Sequence, residues 1–172
     1  MKIIGIDPGL SDTGVGIVEG VGHRIDRYSY GSIRTSNREP LPGRLDRIFT
    51  RLSSLLADEK PDLLVIEEVF SLQRYPKSGI TLGQVSGVIL LAGVRCGLSS
   101  VAVPVREAKQ VLTGNGNATK MQLETAVRHL LGSPSPIRPF HASDALGLAI
   151  IGLLRAGSGR TKAAVINRYR PS

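Results

Sequence analysis

The sequence predicts a single α/β domain built on a mixed sheet, with three antiparallel strands followed by parallel strands and helices flanking the sheet. Three observations predict it. Two short apolar runs, Ile3-Ile4-Gly5-Ile6 and Leu63-Leu64-Val65-Ile66, read as strands covered on both faces. Between and after them lie apolar residues at helical spacing, the pattern that links parallel strands. The chain has 172 residues, 41% of them hydrophobic, which is enough for one sizeable core and too little for two ordinary domains.

Taken in order, the first run is ended by Asp7-Pro8-Gly9. Val15 and Ile17, then Ile25 to Ile33, form two further strands separated by Gly20 and Gly22, so the first three strands make a meander. Leu45, Ile48, Phe49, Leu52, Leu55 and Leu56 follow helical spacing up to Pro61. The second buried run is stopped by Glu67 and Glu68, much as the first is stopped by Asp7. Residues 79–97 predict a second helix, with Gly83, Ser86, Gly87 and Gly93 as small patches where another backbone could approach closely. Val101 to Val105 is a further strand. Thr119 and Gln122 form a capping box ahead of Leu123, Val127, Leu130 and Leu131 on one helical face. After Pro134, Pro136 and Pro139, a last helix runs from His141 to Arg155. The predicted order is βββαβαβαα, with one domain over 1–156 and a basic, flexible tail over 157–172.

Charge is uneven along the chain. The formal net charge is +8, yet residues 1–68 hold nine Lys/Arg against eleven Asp/Glu, residues 69–140 eight against two, and residues 157–172 four against none. A basic surface beside an acidic pocket suits a polyanion that is bound and then cut, although charge alone does not separate cutting from binding. Cys96 is the only cysteine, which excludes an internal disulfide and a cysteine zinc site, and its apolar setting suggests packing. No stretch reaches the roughly 20 apolar residues of a membrane helix and no signal pattern precedes the first strand, so the expected location is the cytoplasm.

Asp7 and Glu67 end two neighbouring buried strands, where they would repel each other unless protonated or neutralised, and a hard divalent cation neutralises carboxylates best. Asp144, at the start of the last helix, and His141, three residues earlier on the same face, could reach the same place. Glu68 alternates to the opposite side of its strand from Glu67, so Glu67 is the expected member of the pair. Three carboxylates and an imidazole could hold two Mg²⁺ or Mn²⁺ ions about 3.5–4 Å apart, enough for hydrolysis with no covalent nucleophile.

Gly5-Ile6-Asp7-Pro8-Gly9 with Thr13-Gly14, Ile66-Glu67-Glu68-Val69-Phe70, Leu82-Gly83-Gln84, Lys109-Gln110-Val111 and His141-Ala142-Ser143-Asp144-Ala145-Leu146 together resemble the RuvC family of Holliday-junction resolvases. The match is ordered and covers about residues 1–156. The resemblance implies a ribonuclease-H-like fold, a homodimer, a four-way DNA junction as substrate, symmetric nicks leaving 5′-phosphates, and partners of the RuvA and RuvB helicase type. It assigns metal binding and catalysis to Asp7, Glu67 and Asp144, with His141 at a position that is Asp in many members. That departure favours Mn²⁺ relative to Mg²⁺, because imidazole is the softer ligand. Phe70 aligns with an aromatic that stacks at the crossover, and Lys109 and Lys120 with basic residues near the scissile phosphate. Arg74 and Lys77 lie in the segment that follows Phe70, and Arg106 and Arg128 are generic phosphate contacts. Three rival readings stand against these, one being a relative that acts on another branched or RNA substrate, because fold and metal chemistry do not by themselves fix substrate. Gly5-Ile6-Asp7-Pro8-Gly9 also resembles the first phosphate loop of actin-like and sugar-kinase ATPases, but one domain without a second phosphate loop does not suit them. A non-catalytic nucleic-acid module accounts for the basic half and leaves the acids unexplained.

Overall fold

The structure, a computed structural model, describes residues 1–68, 76–157 and 165–167, with side chains described for 1–68 and 78–157. The elements are β1 (Lys2–Asp7), β2 (Asp12–Val21), β3 (Arg24–Arg34), α1 (Leu41–Glu59), β4 (Leu63–Glu68), α2 (Pro76–Arg95), β5 (Ser100–Pro104), α3 (Val105–Thr113), α4 (Lys120–Leu130), α5 (Phe140–Gly157) and β6 (Val165–Asn167). They form one sheet of order β3-β2-β1-β4-β5-β6. β1, β2 and β3 pair antiparallel, and β1, β4 and β5 pair parallel, as expected of a meander continued through helical crossovers.

Strand alternation sorts the apolar residues into two cores. Ile3, Val65, Val101 and Val103 face α5, α4 and α3, while Ile4, Ile6, Leu64 and Ile66 face α1 and α2. The first core is dominated by α5, whose Ala142 to Leu153 are buried nearly all round except at Asp144, as befits a helix enclosed by sheet and helices. α1 is narrower in contact and buries Ile48, Leu52 and Leu56.

Several expectations are corrected. Glu67 and Glu68 do not stop β4 but are its last two residues, paired with Val103 and Pro104 of β5. β5 ends at Pro104, and Val105 opens α3, a helix that the periodicity reading passed over. Its buried stripe is short, Ala108 with the partly buried Leu112, and Val111 is exposed, so the apolar pattern was too brief to stand out beside a strand. Leu130 is exposed, while Leu131 packs on the core. Cys96 lies on the surface, because it falls one residue past the end of α2.

Within the stretch read as a flexible tail, Val165–Asn167 pairs antiparallel with β5, giving that strand a partner along its outer edge. α2 contains one window, Ser78–Arg95, that is long and apolar enough by composition to cross a membrane, contrary to the sequence expectation. Its Val85, Ile89 and Ala92 are nevertheless buried in the domain's second core, and the helix packs against α1.

Candidate active site

The floor of the site is set by register. Ile6 of β1 pairs with Ile66 of β4, so the next residues, Asp7 and Glu67, are neighbours across a parallel ladder and share the face turned toward α5. Glu68 alternates to the other face, as predicted. The turn after Asp7 is tied down by local bonds: Thr13 Oγ1 donates to the Gly9 carbonyl at 2.6 Å, and Thr35 Oγ1 to the Leu10 carbonyl at 2.5 Å. Arg44 adds bonds from Nε to Thr35 Oγ1 at 2.8 Å and from a terminal nitrogen to Ser11 Oγ at 2.9 Å.

α5 delivers the third acid because the sheet beneath it has almost no side chains there. A Cβ on Gly5 would stand 2.1 Å from the Ala145 carbonyl oxygen, one on Gly14 2.0 Å from that of His141, and one on Gly16 2.4 Å from the Leu146 nitrogen. No side chain fits at those distances, so glycines on two adjacent strands form a track on which the α5 backbone lies. Of the small residues of α2, Gly93 lies close to Leu64 and Ser100, while Gly83 and Gly87 meet nothing within this chain. Alternating glycines in β1 and β2 were the signal that the sequence reading left unused.

Asp7, Glu67, His141 and Asp144 accordingly line one cleft of about 150 Å³ together with Lys109 of α3, Lys120 of α4 and the apolar Val105, Ala108, Leu123 and Leu148. Asp7 is 8% exposed. Two of the side chains pair directly, with His141 Nδ1 and Asp7 Oδ2 2.5 Å apart. Burial, then the nearby charges of Asp7 and Asp144, push Glu67 up to about 7, against the pull of Lys120. Burial and Asp7 likewise raise Asp144 to about 6, opposed by Lys120, His141 and Lys109. His141 is raised as well, chiefly by its hydrogen bond to Asp7.

These groups suit a divalent cation in chemistry. Asp144 Oδ1 is buried without a hydrogen-bond partner, and two carboxyls resist ionising beside a third; a hard cation in the cleft would relieve both. Among the described residues no three His, Cys, Asp or Glu side chains already converge as a finished cage.

The other predicted residues divide. Arg106 is exposed on the first turn of α3, outside the lining of the cleft, with its aliphatic stem against Gly116. Arg128 is 3.8 Å from the buried Glu124, which accepts the Ile137 N–H at 2.8 Å, so its setting is a structural tie to the proline-rich segment. Lys77 lies in the first turn of α2. Phe70 and Arg74 lie outside the described residues.

A family model described as "Crossover junction endodeoxyribonuclease RuvC" matches residues 3–152. The chain belongs to the RuvC family. Among RuvC relatives, the one from Salinispora arenicola is 40% identical over 171 residues, covering 99% of this chain and 97% of its own length. The RuvC of Geobacter metallireducens is 39% identical over 157 residues, 91% of this chain and 94% of its own. Among solved structures, T. thermophilus RuvC in complex with a Holliday junction substrate superposes with a TM-score of 0.84 at 31% identity, over 96% of this chain and 98% of that one. The yeast mitochondrial Holliday junction resolvase matches at a TM-score of 0.62 and 11% identity, over 94% and 80%, a likeness of fold alone. The mixed sheet with flanking helices is therefore the ribonuclease-H-like fold of RuvC structures.

Proposed function

We propose that this chain is a structure-selective endonuclease that resolves four-way DNA junctions by paired symmetric nicks, in recombination and repair. The observation that carries the reading is the convergence of three acids and His141 from β1, β4 and α5 in one cleft with two lysines, in a chain of RuvC family membership. The similarity to a RuvC bound to a Holliday junction substrate supports the choice of DNA.

Asp7, Glu67, Asp144 and His141 would hold the cations, for which two Mg²⁺ or Mn²⁺ ions are the proposal. Such ions supply Lewis acidity and an activated water for phosphodiester hydrolysis. The protein's own contribution is positional. The strand ends and α5 fix the acids, and Asp7 accepts from His141 Nδ1, which leaves Nε2 as the free nitrogen in the neutral ring. Lys109 and Lys120 place positive charge over the acids, where a backbone phosphate would lie.

Phe70, with Arg74 and Lys77, is the proposed junction-contacting segment, and Arg106 an outer phosphate contact. A homodimer through α2 is the proposed assembly, since Ile80 and Leu91 are exposed on a face that also carries Gly83 and Gly87. Helicases of the RuvA and RuvB type are the proposed partners, in the cytoplasm. The domain is placed at 1–156, with the basic stretch after it adding non-specific DNA affinity.

The deciding experiment incubates the purified chain with a labelled four-way junction and a linear duplex in Mg²⁺, Mn²⁺ or EDTA. Symmetric nicks in the junction alone, absent in EDTA, are expected. Equal cutting of the duplex, or cutting in EDTA, would overturn the proposal.

A further inference from the structure

Lys109 and Lys120 reach the cleft from different helices, and the ten residues between them include a loop whose conformation is set from α3. Gln110, next to Lys109, turns its side chain forward along the chain. Its Nε2 donates to the Gly114 carbonyl at 2.9 Å and its Oε1 accepts the Gly116 N–H at 3.0 Å. Both ends of the amide are thus occupied, although the residue lies on the surface, where a glutamine ordinarily keeps its rotamer freedom and bonds to water.

Further bonds hold the loop beside this clamp, among them the Asn115 N–H donating to Thr113 Oγ1 at 3.1 Å. Gly114, in the left-handed region at φ 74°, returns its N–H to the Gln110 carbonyl at 3.0 Å. Asn115 Oδ1 accepts the Asn117 N–H at 2.9 Å, and the Ala118 N–H reaches the Asn115 carbonyl at 3.0 Å. Gly116 lies against Arg106, since a Cβ there would stand 2.9 Å from Arg106 Cγ. The loop then enters the Thr119–Gln122 capping box, whose two bonds are 3.2 and 2.8 Å long, and Lys120 is the first residue of α4 beyond the cap. Ala118, Leu123 and Val127 anchor α4 in the core, but Lys120 and Met121 themselves are exposed. The first turn of α4 is therefore held by the loop and cap before it together with the buried residues on either side, and not by burial of Lys120 itself.

We propose that Gln110 is a positioning residue for the cleavage reaction: its side-chain amide braces residues 114–116 and so holds Lys120 opposite Lys109 over the acidic floor. This rests on the reading of the cleft as a nuclease site, and the tests separate the two. In Gln110→Met the chain length is kept and both bonds are lost. In Gln110→Glu the acceptor for Gly116 is kept, while the donor to Gly114 is replaced by a carboxylate facing a carbonyl. Both variants should cut a four-way junction with kcat lowered about tenfold, KM and junction Kd changed less than about threefold, and melting temperature close to that of the parent.

Amide hydrogen exchange, measured without DNA or metal, should show Gly116 and Ala118, whose N–H groups donate to Gln110 Oε1 and to the Asn115 carbonyl, exchanging at least about tenfold faster, with Leu123 and Val127 unchanged. In a Lys120→Ala background, Gln110→Met should cost little more, because the two residues act as one unit. Unchanged exchange at Gly116 and Ala118 would overturn the brace, whatever the activity. Faster exchange with unchanged kcat, or with losses that multiply in the double variant, would overturn its role in positioning Lys120. If the parent chain cuts no junction, the nuclease reading fails, and the exchange result alone decides whether the brace exists.

Discussion

α2 and α5 are the two long apolar helices of the domain, and they use glycine in opposite ways. α5 is buried because its partner strands lack side chains: Gly5, Gly14 and Gly16 let its backbone rest on the sheet, and that contact points Asp144 and His141 into the cleft. α2 carries its own glycines, but Gly83 and Gly87 look outward beside the exposed Ile80 and Leu91. A helical glycine alone does not say which case applies, since Gly152 of α5 lies against Ile3 and Val65 and Gly93 of α2 near Leu64, while Gly83 and Gly87 meet nothing within the chain. A glycine on a strand face, opposite a helix, says where the helix must lie.

The comparison breaks first at the chemistry. Asp144→Asn keeps the shape of α5 and removes a buried charge; cleavage of a four-way junction should fall by at least about 1,000-fold, while gel-shift binding in Ca²⁺ stays within about threefold. Binding lost along with cleavage would mean that Asp144 shapes the fold.

Next comes the track. Gly16→Ala must push the Leu146 backbone away, an overpacking cost of about 1–3 kcal/mol or more, so the melting temperature should drop by about 3–10 °C with a matching loss of cleavage. Gly83→Ala, in open space, should leave the monomer as stable or slightly more so. Equal losses in the two variants would erase the distinction between the helices.

Leu91→Glu on α2 should shift a dimer toward monomer by at least about tenfold in dissociation constant, read by analytical ultracentrifugation, without changing the monomer's circular dichroism. A dimer of undiminished affinity would move the interface off α2.

The smallest effect is on pH dependence. Glu67 and Asp144 bind their protons more tightly in the folded chain than in an unfolded one, at about 7 and 6 against ordinary values of 4.5 and 3.8. Stability from these protonated forms is full below about pH 4 and is lost as pH rises to about 7; His141, also raised, contributes in the same direction. In EDTA, the melting temperature should therefore fall by a few degrees between pH 5 and 8, and less steeply in Glu67→Gln. Mg²⁺ or Mn²⁺ should raise it most at pH 8, because the cation favours the ionised acids. A curve equally steep in Glu67→Gln would remove Glu67 as the source.

Much of this was legible in the residues. Continuous apolar runs at β1 and β4 announced buried parallel strands, and an acid at the end of each, with period-two alternation, was enough to prefer Glu67 to Glu68. The Thr119–Gln122 cap was legible because its two bonds are local. α3 was not, since only Ala108 is buried and Leu112 partly so over its nine residues, and neither was the surface position of Cys96 one step beyond α2.

The sequence by itself determined the elements, their two-faced patterning and the inventory of acids and lysines, because these depend on near neighbours along the chain. Only the tertiary structure decided that α5 lies on the glycines of β1 and β2. It also decided that Asp7 and His141, far apart in the chain, meet side chain to side chain. Each is a contact between groups whose meeting depends on how the chain packs, and no periodicity in the residues encodes that distance.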